Sequence, residues 1–198
     1  MYATNIYINL LKINFLKTYF QLYRPFLVFL LKFFAVYGGF TFLYQFYLSQ
    51  YDSILAFEVD AVTRSVAYQV QYVLNFLQYN CQLQPHESQA SMKLIIDGVY
   101  VLRVVEGCNA LSVIILFAAF VVAFSGKWLT TICFLFVGSV LIHMMNIFRI
   151  AVLSLALLYY PEQQTLLHGV IFPLIIYGFV FGSWVIWVNQ FSNYARKD

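Results

Sequence analysis

The sequence predicts an all-α polytopic membrane protein: about four transmembrane helices, an amphipathic N-terminal helix, and an extracytoplasmic helix–β-hairpin insertion. Three observations lead there. Hydrophobic residues make up 63% of the 198 and charged ones only 10%, with a mean hydropathy of +0.79, whereas a soluble domain carries about a quarter charged residues. Several apolar stretches are long enough to cross a hydrocarbon core. Lysines and arginines flank those stretches at alternate ends. Aromatic residues, chiefly 21 Phe and 16 Tyr, suit lipid contact and interfacial belts. A net charge of +3 without a basic cluster gives no ground for a nucleic-acid partner.

Residues 1–25 hold Ile8, Leu10, Leu11, Phe15 and Leu16 interleaved with Lys12, Asn14, Lys17 and Gln21, the pattern of a helix lying on a bilayer. No basic, apolar and small-residue succession marks a cleavable signal peptide. The first span is 26–48, opened by Arg24-Pro25, with Lys32 able to snorkel. The second begins at Cys108 and ends near residue 124. The third follows the Ser125-Gly126-Lys127 turn and stays apolar to about residue 160. That is almost 50 Å of helix, so it projects beyond the membrane; no Gly or Pro marks a break near Asn146. The fourth covers 165–191, and 192–198 form a tail.

Lys12, Lys17 and Arg24 precede the first span, Lys127 separates the second from the third, and Arg196 and Lys197 follow the last. With four spans all fall on one side, which the positive-inside rule makes cytoplasmic. The segment 49–107 then faces outward. From Leu55, the residues Val59, Val62, Val66, Val70, Val73 and Leu77 recur at three and four, as one helical face requires. Asp97-Gly98 between two β-branched runs marks a hairpin. The catalytic core would be 108–191, and the setting is the inner (cytoplasmic) membrane.

This topology brings Cys108, Arg149 and His168 to one depth at the extracytoplasmic face. Ionisable groups at membrane depth are functional candidates. A thiol on the first turn of a helix is favoured as thiolate by the macrodipole. His168 suits the acid/base role, and Arg149 suits an oxyanion or a substrate carbonyl. Asn146, one turn before Arg149, is placed to orient the guanidinium, and backbone N–H groups around Asn109 to complete an oxyanion hole. Glu106 would tune the site or cap the hairpin edge. His143, rotated about 120° from Arg149, reads as structural. The chemistry calls for no cofactor, and the spacings of His143, His168 and Cys108 match no metal motif. Three cysteines give no disulfide framework; Cys81 is expected beneath the amphipathic helix and Cys133 among apolar neighbours.

Glu106-Gly107-Cys108-Asn109-Ala110-Leu111, Asn146-Ile147-Phe148-Arg149 and the later His168 resemble the exosortase/archaeosortase family over residues 95–185. The short length is similar to its compact exosortase F members. The resemblance implies a cysteine peptidase/transpeptidase that cleaves the C-terminal sorting signal of membrane-anchored proteins and transfers them to a glycan, lipid or other surface acceptor. It implies Cys108 as nucleophile, Arg149 as substrate or oxyanion residue, and His168 as acid/base. The family usually carries Ser-Gly after the Cys, where this chain has Asn109-Ala110, and alanine permits less close backbone approach. The rival reading is a non-enzymatic membrane component of a surface-polymer assembly or export system, which would use Arg149 and His168 as polar anchors.

Overall fold

The computed structural model describes residues 2–51, 58–124 and 126–192, with side chains from Phe20 onward. The expectations placed on Leu55, Ser125, Arg196 and Lys197 lie outside the described residues. Three helices are long and apolar enough to cross a membrane, Phe20–Leu48, Trp128–Tyr159 and Pro161–Phe191, and the chain is a predominantly helical membrane protein.

Helix α1 runs from Tyr2 to Leu48 without interruption and carries Pro25 inside it. The expected interfacial helix and first span are thus parts of one continuous helix. Proline removes one backbone hydrogen bond, yet the helix continues through it.

Helix α2 (Ala61–Phe76) is capped by Asp60, whose carboxylate accepts from the N–H groups of Val62 and Thr63 at 3.0 Å. Its buried face is Thr63, Val66, Ala67, Val70 and Leu74. The stripe read from sequence is thus rotated slightly, and Leu77, expected on that face, is exposed. Strands β1 (Cys81–Pro85), β2 (Ser91–Ile96) and β3 (Val99–Val105) pair antiparallel in that order. Asp97 and Gly98 turn β2 into β3 with φ of 51° and 81°, the left-handed pair that a two-residue hairpin needs. Strand β1 occupies a stretch that reads as polar linker, because Gln82 and Gln84 alternate with Cys81 and Leu83.

After β3 comes the short helix α3 (Leu111–Ala123), then α4 (Trp128–Tyr159) and α5 (Pro161–Phe191). The apolar run expected to form a helix from Cys108 does so only from Leu111, as a helix of 13 residues, about 20 Å long. It is sheathed by its neighbours: Phe29 of α1 meets Phe120 and Phe124, and Phe120 stacks on Trp184 at 4.2 Å. Buried Phe117 and Val121 share a core with Ile142, Val180 and Trp187.

Helix α4 is continuous over its 32 residues. Its exposed large apolar side chains run Trp128, Leu129, Ile132, Phe136, Val137, Val140, Leu141, Met144 and Phe148, and then cease until Tyr159. The exposed stretch 128–148 measures about 30 Å, the thickness of a hydrocarbon core. Beyond it α4 enters a second core, where Ile150 and Ala151 pack with Val66, Val70 and Leu74 of α2 and with Leu94, Ile96 and Val104 of the sheet. The extra length of α4 is therefore the post on which the α2–sheet cap is built.

Candidate active site

At one end of the bundle Gly126 bridges to Ser192, levelling the start of α4 with the end of α5. Nearly equal numbers of residues separate this bridge from Arg149 on α4 and from His168 on α5, so helical rise alone sets both at one height. Cys108 comes to the same place from the sheet. The three residues line one cavity of about 380 Å³, walled by β3, α4 and the start of α5.

Cys108 closes a 3-10 turn, Glu106–Cys108, that continues β3. The expectation that its thiol rides the first turn of a membrane helix is corrected, since α3 starts at Leu111. Two asparagines hold the turn instead. Asn146 Nδ2 donates to the Cys108 carbonyl at 2.6 Å. Asn109, buried, donates from Nδ2 to the Tyr44 hydroxyl at 2.7 Å and to Thr63 Oγ1 at 3.2 Å, tying the turn to α1 and α2.

Asn109 and Asn146 thus change roles from those read in the sequence. The Asn109 N–H is bonded to the Glu106 carbonyl at 3.2 Å, and the Leu111 N–H to Asn109 Oδ1 at 2.9 Å. Those two donors are spent and do not form an oxyanion hole. Asn146 grips the backbone of Cys108 rather than the guanidinium. Ala110 adopts φ 61°, a left-handed conformation that costs an L-residue about 1–2 kcal/mol and glycine almost nothing.

Arg149 is half-buried, its Nε shielded and without a hydrogen-bond partner among the described residues. His168 is exposed and sits in a π turn, Leu167–Ile171, closed by the Phe172 N–H on the Leu167 carbonyl. Such turns recur at functional sites; a second one, Trp187–Phe191, serves packing around buried Trp187. Glu106 is exposed and does not line the cavity. His143 stands apart from it, bonded through Nε2 to Gln69 Oε1 at 2.7 Å, a structural tie between α4 and α2.

Sequence reasoning missed Gln164, Tyr100 and Arg103, which also line the cavity. Gln164 stands four residues before His168, a spacing that would have flagged it. Arg103 bonds Gln89 of the β1–β2 loop. Tyr44 and Thr63 had no local signal, because they meet Asn109 only through the tertiary fold.

The site therefore gathers a partly exposed thiol, a guanidinium and an imidazole around one cavity. No protein-family model, no curated protein and no solved structure matches the chain.

Proposed function

We propose that this chain is a membrane-embedded thiol peptidase/transpeptidase of the exosortase/archaeosortase kind, acting on C-terminal sorting signals of membrane-anchored proteins. The observation that carries the reading is the meeting of Cys108, Arg149 and His168 in one cavity. We place the hydrocarbon boundary at Phe148, where the exposed apolar strip of α4 ends. Helix α3 then makes the fourth crossing, from the Asn109–Tyr44 contact at one end to the Phe124–Phe29 contact at the other. The basic residues Lys12, Lys17, Arg24 and Lys127 fall on the side opposite the cavity, which by the positive-inside rule supports an extracytoplasmic cavity in a cytoplasmic membrane.

In this reading His168 takes the Cys108 proton and the sulfur attacks the scissile carbonyl of the signal. Arg149, which lines the cavity, offers a guanidinium N–H to the developing oxyanion. The C–N bond breaks as His168 returns the proton to the leaving amine, and the cleaved helix with its basic tail departs. An acceptor amine, hydroxyl or water then attacks the thioester, and the thiol is regenerated.

Modification by a membrane-impermeant thiol reagent tests the site. Cys108 should react, and Arg149→Gln or His168→Ala should slow the reaction by about tenfold as the cation and the base that line its cavity are removed. Equal rates in all three chains would remove the basis for enzyme chemistry and favour a non-enzymatic membrane component.

A further inference from the structure

A second, more open hollow of about 560 Å³ lies between α2 and α4, away from the Cys108 cavity. Arg64, Ser65, Tyr68, Gln69 and Tyr72 form its wall and Ile147 its floor. Its depth follows from α4. Ile147 adjoins Met144 and Phe148, the last members of the exposed apolar strip. The Gln69–His143 hydrogen bond fixes the middle of α2 at this level. The hollow therefore straddles the boundary between hydrocarbon and headgroups.

Its chemistry is graded in the same sense. A guanidinium and several hydroxyls stand on the α2 side, and apolar side chains continue down α4. Tyr68, Tyr72 and Phe76 are all exposed, and their spacing puts them on one face of α2, as aromatic side chains sit at a membrane interface. Arg64 Nη2 donates to the Val59 carbonyl at 2.9 Å and lies 3.6 Å from a Glu58 carboxylate oxygen. A guanidinium has five N–H donors, so these contacts orient it without exhausting it.

We propose that this hollow seats a phospholipid of the leaflet on the Cys108 side, its phosphate on Arg64 and its first acyl methylenes over Ile147. The seat anchors α2, and with it the cap that carries the cavity wall, to the bilayer surface. The proposal rests on the membrane boundary at Phe148 and not on the chemistry of Cys108.

Native mass spectrometry of the full-length chain, released from detergent with added phosphatidylglycerol, tests it. One lipid should be retained, about tenfold more weakly in Arg64→Gln, as loss of one charge-assisted phosphate contact predicts. Arg64→Lys should restore much of the retention, and Ile147→Trp, which fills the floor, should reduce it. Diacylglycerol with the same chains should not be held. Undiminished retention by Arg64→Gln and Ile147→Trp, or equal retention of diacylglycerol, would overturn the proposal. Cys108 should be alkylated at the unmodified chain's rate in these variants, which separates loss of lipid from loss of fold and from the thiol chemistry.

Discussion

Asn146 of α4 donates its side-chain amide to the main-chain carbonyl of Cys108 at 2.6 Å, while its own Oδ1 is buried without a partner among the described residues. The bond joins the helix that carries Arg149 to the turn that carries the thiol, so one contact fixes the spacing of two proposed reacting groups. Asn146→Ala should cost about 1–2 kcal/mol of stability. It should lower signal processing by about a hundredfold, as a displacement near 1 Å does. Thermal melts and processing rates measured together check this: a rate loss no larger than the unfolded fraction explains would contradict a positioning role.

Ala110 carries the strain of the turn. Ala110→Gly should raise stability by up to about 1 kcal/mol, because φ 61° suits glycine. Ala110→Val should lower it by about 2 kcal/mol, a β-branched side chain being poorly accommodated there. Denaturation midpoints of the two variants should move in opposite directions.

These two residues also mark how far the sequence could be read. Apolar run lengths located the membrane helices, and Asp97-Gly98 located the hairpin, since both signals are local. Residues 107–111 were harder. An apolar run beginning at Cys108 looks like a helix starting there, but the start is delayed to Leu111 by the left-handed Ala110, which no periodicity reveals. The function of Asn109 was equally hidden, because its partners Tyr44 and Thr63 come from α1 and α2. That Arg149 and His168 share a cavity was expected from topology, whereas the Gly126–Ser192 bridge that levels α4 with α5 had no local signal. Strand β1 was not, because five residues with two glutamines look like linker until β2 pairs with them.

Gly138 allows α3 and α4 to approach. A Cβ added there would lie 2.3 Å from Cζ of Phe117, a ring that is fully buried. Gly138→Ala should destabilise the bundle by about 1–3 kcal/mol through overpacking, and Gly138→Ala with Phe117→Leu should recover part of that loss. Melting temperatures in detergent decide it.

Cys81 provides a pH signature of the cap. Burial beneath α2 raises its thiol from 9.0 to about 11. The unfolded chain therefore loses this proton first, and the stabilisation from the neutral thiol, complete below pH 9, declines as pH rises toward 11. Melts across that window should show a falling stability that flattens in Cys81→Ala. The same burial predicts that Cys81 resists alkylation at neutral pH in the folded chain.

In the proposed function the Cys108 sulfur forms and breaks the bond to the sorting signal. The direct measurement is the fate of a co-expressed membrane protein ending in a short motif, an apolar helix and a basic tail. With the unmodified chain the precursor should be shortened; with Cys108→Ala, inserted at the same level and melting at a similar temperature, it should accumulate uncleaved. Processing at an undiminished rate by Cys108→Ala would contradict the account.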